Sequence, residues 1–119
     1  MKIIGVDIVE IERLAQSVAR FGDRFLQRVY TEQELAYCHG RITSLAARWA
    51  AKEAVAKALG TGIGEVGWHE IEVVSEDNCR PTLRLHGAAA ALAARRGISA
   101  FAISLSHAKE YAVAFVVGE

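Results

Sequence analysis

Hydrophobic residues recur along the chain at two spacings, and these spacings predict the order of its strands and helices. Residues 2–9 are rich in Ile and Val, which is typical of a strand. Between about residues 10 and 20 the apolar side chains return every three or four positions, as in a helix with one buried face. The second half of the chain is predicted to contain a strand over 69–74, a turn at 76–78, a strand over 81–85, an alanine-rich helix over 87–96 closed by Gly97, and a hairpin of strands over 98–105 and 111–117.

Capping residues predict the limits of two short helices in the first half of the chain. Asp23 is placed to cap a second helix, because Asp is a preferred N-cap residue. The run from Thr31 to Glu34 is Thr-Glu-Gln-Glu, a capping box, which predicts the start of a third helix. The pair His39-Gly40 is expected to end that helix.

The longest predicted helix occupies the middle of the chain, at about 45–59. Thr43 or Ser44 is its expected N-cap, and Gly60 is its expected stop. Most of the predicted helices therefore lie in the first half, and most of the predicted strands lie in the second. We predict an α+β fold in one domain, 1–119, with a helical N-terminal cluster, a long central helix and mostly antiparallel sheet.

Composition bears on assembly. The 119 residues are 52% hydrophobic and 24% charged, which is rich in apolar residues for a small monomer. The excess either covers a subunit interface or reflects alanine counted as hydrophobic, since residues 88–94 are nearly all alanine.

Charge is balanced overall but not locally. The chain holds 14 basic and 14 acidic residues, which argues against nucleic-acid binding driven by overall charge. Residues 13–28 contain four arginines against one acidic side chain. This stretch is either a docking surface for an acidic partner or an ordinary solvated helix face.

The two cysteines, Cys38 and Cys79, lack the spacing of metal ligands. No segment resembles a signal peptide or a membrane span. The simplest interpretation is a cytoplasmic protein with free thiols and no membrane attachment.

Two carboxylates stand inside otherwise apolar elements. Asp7 interrupts the first strand and Glu53 lies in the main helix, and a buried carboxylate needs a positive partner. Mg²⁺ is one such partner, because it prefers oxygen ligands. Salt bridges are the alternative, with Lys57 four residues after Glu53. Together with the Gly-Thr-Gly sequence at 60–62, these residues suggest a phosphate-containing substrate.

Four motifs spread over nearly the whole chain appear in a fixed order. They are Gly-Val-Asp-Ile-Val at 5–9 with Arg13 following, Arg-Trp-Ala-Ala-Lys-Glu-Ala at 48–54, Lys57 with Gly-Thr-Gly-Ile at 60–63, and Ser-Leu-Ser-His at 104–107 before Tyr-Ala at 111–112.

In these motifs the chain resembles the holo-acyl-carrier-protein synthases, which are members of the 4'-phosphopantetheinyl transferase superfamily. The resemblance implies that fold and the transfer of 4'-phosphopantetheine from coenzyme A to a serine of apo acyl carrier protein, for fatty acid biosynthesis. It implies that Asp7 and Glu53 bind a catalytic Mg²⁺ and that Lys57 adds a second cation. Glu53 is also the candidate base for the serine proton. The implied coenzyme A contacts are Arg48, Lys57, Gly60, Thr61, Gly62 and His107.

The resemblance also implies protein partners. Family position and local charge indicate Arg13, Arg24, Phe25 and Arg28 as the surface that docks the acidic carrier protein. The family forms homotrimers with active sites between subunits, so His107 is expected to come from a neighbouring chain. The alternatives are a transferase for a polyketide or peptide synthetase carrier domain and a non-catalytic coenzyme A-binding protein.

Overall fold

The computed structural model describes residues 1–75 and 80–119, so the predicted turn at 76–78 and Cys79 lie outside the described residues. None of the described helices is long and apolar enough to cross a membrane. The strands are β1 (Ile3–Glu10), β2 (Ile71–Ser75), β3 (Pro81–Leu85), β4 (Phe101–His107) and β5 (Tyr111–Gly118), and the helices are α1 (Ile11–Phe21), α2 (Asp23–Val29), α3 (Glu32–Cys38), α4 (Ile42–Ala58) and α5 (Gly87–Arg95), with a 3-10 helix at Trp68–Glu70.

The strands form two antiparallel sheets, as the alternating pattern predicted. The larger sheet has the order β1-β5-β4, so the first strand lies beside the last. Its register places Ile3 opposite Gly118 and Asp7 opposite Ala114. The smaller sheet pairs β2 with β3 and places Ile71 opposite Leu85. The predicted α+β class is therefore confirmed.

Helix α4 packs against the inner face of the larger sheet and is buried on nearly all sides. Most of its buried residues are alanines, whose small side chains allow close approach. Gly5 of β1 lies directly against the helix backbone. A Cβ at Gly5 would collide with the carbonyl oxygen of Ala54 and lie 3.0 Å from Ala58 Cβ. Strand and helix can touch here only because residue 5 is glycine.

The N-terminal helices form a second core against the first half of α4, which confirms the predicted helical cluster. Its fully buried members include Leu14, Val29, Tyr30, Cys38 and Leu45. The Tyr30 hydroxyl donates a hydrogen bond of 2.6 Å to the carbonyl of Leu45. Burial raises the pKa of Tyr30 far above its ordinary value, so this hydroxyl remains a donor.

The outer face of the larger sheet exposes apolar side chains. Ile4 and Ile8 of β1 are 64% and 61% exposed, and Val6 between them is 52% exposed. Phe115 of β5, which pairs with Val6, is 45% exposed. Exposed apolar surfaces of this kind are typical of surfaces that contact another molecule.

The capping box at the start of α3 is confirmed. Thr31 Oγ1 accepts a hydrogen bond of 3.2 Å from the Glu34 N–H, and the Glu34 carboxylate accepts one of 2.9 Å from the Thr31 N–H. His39 ends the helix in the left-handed conformation, with a φ of 51°.

Two predicted caps are wrong. The first is Asp23, which is the first residue of α2. The chain turns before it at Gly22, whose φ of 59° favours glycine.

The second wrong cap is at the start of α4. Gly40, with a φ of 74°, turns the chain, and Arg41 follows in an extended conformation as the N-cap. The helix therefore begins at Ile42, and Thr43 and Ser44 lie inside its first turn.

The strand predicted over 69–74 also begins later, at Ile71. The Glu70 carboxylate accepts hydrogen bonds of 2.6 Å from the N–H groups of Gly67 and Ala88, and this holds Trp68–Glu70 in a 3-10 turn. β4 likewise begins at Phe101 rather than at Ile98.

Candidate active site

Asp7 and Lys57 meet where β1 packs on α4. Gly5 allows the strand to touch the helix, and Asp7, two residues further, points to the same side. The Lys57 ammonium donates a hydrogen bond of 2.7 Å to Asp7 Oδ1. The Lys57 side chain is 54% exposed and that of Asp7 only 12%. The sequence left open a Glu53–Lys57 salt bridge, but the hydrogen bond of Lys57 goes to Asp7.

Glu53 lies one helical turn before Lys57 and senses the charge of Asp7. Partial burial raises the pKa of Glu53 and the Asp7 carboxylate raises it further, while Lys57 lowers it. The hydrogen bond to Asp7 raises the pKa of Lys57, so this amine stays protonated. A cation bound between Asp7 and Glu53 would relieve the repulsion between their carboxylates.

A cleft of about 470 Å³ opens beside these side chains. Its lining includes Asp7, Glu53 and Lys57, the three residues predicted to be catalytic. The same lining includes Arg13 and Phe25, two of the four residues predicted to dock a carrier protein. The fold thus brings residues of β1, α1, α2 and α4 to one opening.

The Asp7 and Glu53 carboxylates fit a divalent cation that prefers oxygen ligands. Asp7 Oδ2 is buried and, among the described residues, has no hydrogen-bond partner, so it is available to a cation. Within residues 1–75 and 80–119 no group of three His, Cys, Asp or Glu side chains could hold a metal ion. Two carboxylates completed by waters and substrate phosphates are a common Mg²⁺ arrangement, whereas Zn²⁺ sites use three or four protein ligands.

Arg48, which the resemblance implies as a coenzyme A contact, is largely buried. It is only 6% exposed, its guanidinium lies 4.4 Å from the centre of the Tyr37 ring, and it donates a hydrogen bond of 2.8 Å to Ser75 Oγ. Its Nε is buried without a partner among the described residues. Arg41 lies on the same ring at 5.5 Å, so Tyr37 contacts both arginines.

The Gly-Thr-Gly segment after α4 uses its N–H groups within the protein. Gly60 N–H donates to the Lys57 carbonyl, and the N–H groups of Thr61 and Gly62 donate to the Ala56 carbonyl at 3.0 and 3.2 Å. These N–H groups therefore close the C-terminal end of the helix. The positive φ of Gly60, 82°, is what allows this ending.

The other predicted docking arginines and His107 do not line the cleft. Arg24 and Arg28 are exposed on α2, the helix that also carries Phe25. His107 is exposed at the end of β4, opposite Ala112.

Sequence reasoning missed a buried ion pair beside the site. The Lys52 ammonium lies 2.8 Å from Glu34 Oε1, and both side chains are fully buried. Lys52 also donates hydrogen bonds to the carbonyls of Trp68 and Ile71, at 2.8 and 2.6 Å. A signal was present, because Lys52 falls on the same helical stripe as the buried Leu45.

Comparison with known proteins agrees with this geometry. Residues 3–116 match the model of the 4'-phosphopantetheinyl transferase superfamily. The chain is 50% identical to a holo-acyl-carrier-protein synthase of Herpetosiphon aurantiacus, over 99% of this chain and 98% of the relative. A synthase of Halothermothrix orenii is 44% identical, over 98% and 95%.

Solved structures show the same fold. The Helicobacter pylori holo-acyl-carrier-protein synthase in complex with coenzyme A superposes with a TM-score of 0.90 at 33% identity, over 98% of this chain and 100% of that one. The Neisseria meningitidis synthase gives a TM-score of 0.89 at 36% identity, over 98% and 97%. By sequence and by fold, this chain belongs to the 4'-phosphopantetheinyl transferase superfamily and, within it, to the holo-acyl-carrier-protein synthases.

Proposed function

We propose that the protein transfers 4'-phosphopantetheine from coenzyme A to a serine of an apo acyl carrier protein, for fatty acid biosynthesis. The products are the holo carrier protein and adenosine 3',5'-bisphosphate. The observation that carries the proposal is the convergence of Asp7, Glu53 and Lys57 on one cleft, in a chain that belongs to the synthase family.

The residues of the cleft suit phosphoryl chemistry. The Lys57 cation, held by Asp7 and half exposed, supplies positive charge to the diphosphate oxygens of coenzyme A. Asp7 Oδ2 and the Glu53 carboxylate are the proposed Mg²⁺ ligands. When bound, Mg²⁺ neutralises charge on the diphosphate and makes its phosphorus a better electrophile. Glu53 is also the candidate acceptor for the proton of the attacking serine, because it lines the cleft that the serine would enter.

Carrier docking fits the basic side of the cleft. Arg13 and Phe25 line it, and Arg24 and Arg28 extend the positive charge along the same short helix as Phe25. An acidic helical carrier is expected to bind a surface on which arginines surround an apolar side chain. The arginine charges would guide the approach of the carrier and fix its orientation on the synthase.

A homotrimer with shared active sites completes the proposal. The exposed apolar face formed by Ile4, Val6, Ile8 and Phe115 supports self-association, since burying it removes apolar surface from water. In such an assembly Arg48 and His107 bind coenzyme A, and the His107 of each site belongs to the neighbouring chain. The cytoplasmic location stays a prediction, for which the free thiol of Cys38 is the support.

One assay tests the proposal against its alternatives. The protein is incubated with coenzyme A, Mg²⁺ and purified apo carriers of the fatty acid, polyketide and peptide synthetase types. Mass spectrometry should show one added phosphopantetheinyl group on the fatty acid carrier, with its serine as the modified residue. Faster transfer to another carrier would change the substrate assignment. Coenzyme A binding without transfer to any carrier would favour a non-catalytic binder.

A further inference from the structure

Besides contacting each other, the buried Lys52 and Glu34 side chains form four hydrogen bonds to backbone groups, three of them on other elements. Lys52 on α4 donates to the carbonyls of Trp68 and Ile71 as well as to Glu34. The Glu34 carboxylate on α3 accepts from the N–H groups of Thr31 and Val73, at 2.9 and 2.8 Å. The pair therefore connects α4 to α3, to the 3-10 helix and to β2 at one buried point.

Stability alone is a weak explanation for such a pair. Moving two charges out of water costs several kcal/mol per ion, and well-packed apolar side chains often serve the fold equally well. The best-supported use of a buried polar group is to fix the register of packed elements. Helix α4 needs such a device, because its buried surface is largely alanine. Small, similar side chains distinguish poorly between neighbouring rotations of a helix.

The rotation of α4 decides where the reactive side chains point. Glu53 follows Lys52 directly, and Trp49 lies one turn before Glu53 on the cleft wall. The Trp49 ring packs against the Trp68 ring at 5.6 Å. The Trp68 carbonyl is one of the groups that Lys52 binds. The lysine thus holds α4 against the segment that supports the cleft wall, while β1 contacts the helix at Ala54.

We propose that Lys52 is a positioning residue for the transfer reaction: its bonds to Glu34 and to the 3-10 segment fix the rotation of α4 and hold Glu53 beside Asp7. This inference rests on the proposed function, because it assigns Glu53 to the metal site. Lys52 itself is enclosed and touches no substrate.

The test is a double variant, Glu34→Gln with Lys52→Met. It removes both charges at nearly constant shape, and the glutamine keeps a carbonyl oxygen for one of the two N–H groups that Glu34 accepts. Mn²⁺ alone is titrated into the protein and followed by electron paramagnetic resonance, without coenzyme A or carrier. We expect a single cooperative unfolding transition, Mn²⁺ affinity at least tenfold weaker than in the wild type, a tenfold lower kcat and an unchanged KM for the carrier.

Glu72→Gln is the matched control. It also removes a buried carboxylate from this region, but Glu72 bonds to Thr31 and His86 rather than to α4. We expect it to lower stability and to leave Mn²⁺ affinity within twofold of the wild type. If the double variant does not fold, Lys52→Arg replaces it, because it keeps the charge opposite Glu34 but cannot reproduce the lysine's bonds to the carbonyls of Trp68 and Ile71. The expected loss of Mn²⁺ affinity is then threefold.

Unchanged Mn²⁺ affinity in the variant that folds, beside full transfer by the wild type, would overturn the inference and leave the proposed function intact. Equal losses of Mn²⁺ affinity in the test variant and in the Glu72→Gln control would also overturn it, because general destabilisation would then explain both. A wild-type protein that transfers nothing would instead refute the proposed function.

Discussion

Replacing Gly5 by alanine tests the contact that places Asp7 beside α4. The new Cβ would overlap the Ala54 carbonyl oxygen and lie 2.9 Å from its carbon, so β1 and α4 must separate. Overpacking by one methyl group typically costs about 1–3 kcal/mol, and a collision with helix backbone, which cannot rotate away as a side chain can, belongs at the upper end, about 3 kcal/mol. For a chain of this length that loss lowers the Tm by roughly 10 °C.

The assay is thermal unfolding followed by circular dichroism, at one protein concentration because the Tm of an oligomer depends on it. Gly67→Ala is the matched control, since a Cβ there meets only the Glu70 carboxylate at 3.5 Å, an ordinary contact. The control should unfold within roughly 3 °C of the wild type, in keeping with a change of less than 1 kcal/mol. Gly5→Ala should also weaken Mn²⁺ binding, because Asp7 moves with the strand. A Gly5→Ala protein as stable as the control would refute the close packing of β1 on α4.

Four further outcomes follow from the site and its surroundings. Glu53→Gln should lower the transfer rate at least a hundredfold, and EDTA should abolish wild-type activity until Mg²⁺ or Mn²⁺ is restored; full activity in excess EDTA would remove the metal from the mechanism. Arg13→Glu should raise the KM for the carrier about 5- to 30-fold, equivalent to about 1–2 kcal/mol, with coenzyme A affinity unchanged, while Arg95→Glu on α5 should change neither; equal effects would disprove a specific docking surface. Burial raises the pKa of Glu72, but hydrogen bonds from Thr31 and His86 lower it more, to below 4.5. The wild type should therefore be more stable than Glu72→Gln at pH 7 and lose that difference in urea unfolding as the pH falls below 4.5, and a difference that persists at lower pH would contradict this shift. Co-refolded Glu53→Gln and His107→Ala chains, each nearly inactive alone, should regain part of the activity in mixed trimers; no recovery in trimers verified by native mass spectrometry would place both residues in one chain.

Sequence patterns predicted the features that depend only on residues close together in the chain. The capping box at Thr31 was readable because both of its hydrogen bonds join residues three apart in sequence. Asp23 failed as a cap because the preceding glycine, free to adopt a positive φ, starts the helix one residue early. Cap propensity alone does not register such a backbone turn.

Long-range contacts were beyond the sequence pattern. The local candidate for the partner of Lys57 was Glu53, and the pairing with Asp7 depends on Gly5 letting a strand fifty residues away touch the helix. Lys52 was overlooked because a lysine on a helix is usually exposed. Its burial becomes reasonable only when Glu34, eighteen residues earlier, lies opposite it.

The pairing of the first strand with the last has a consequence for synthesis on the ribosome. Asp7 lies on β1, whose partner in the sheet is β5, with Ala114 opposite Asp7. A growing chain carries Glu53 and Lys57 well before it carries that partner, so β1 has nothing to pair with while α4 forms. Pairings between such distant segments form late, because the long loop must close first. Nascent chains truncated before Tyr111 should therefore contain Asp7, Glu53 and Lys57 and still lack a metal site. The protein would then become able to catalyse the reaction only near the end of its synthesis.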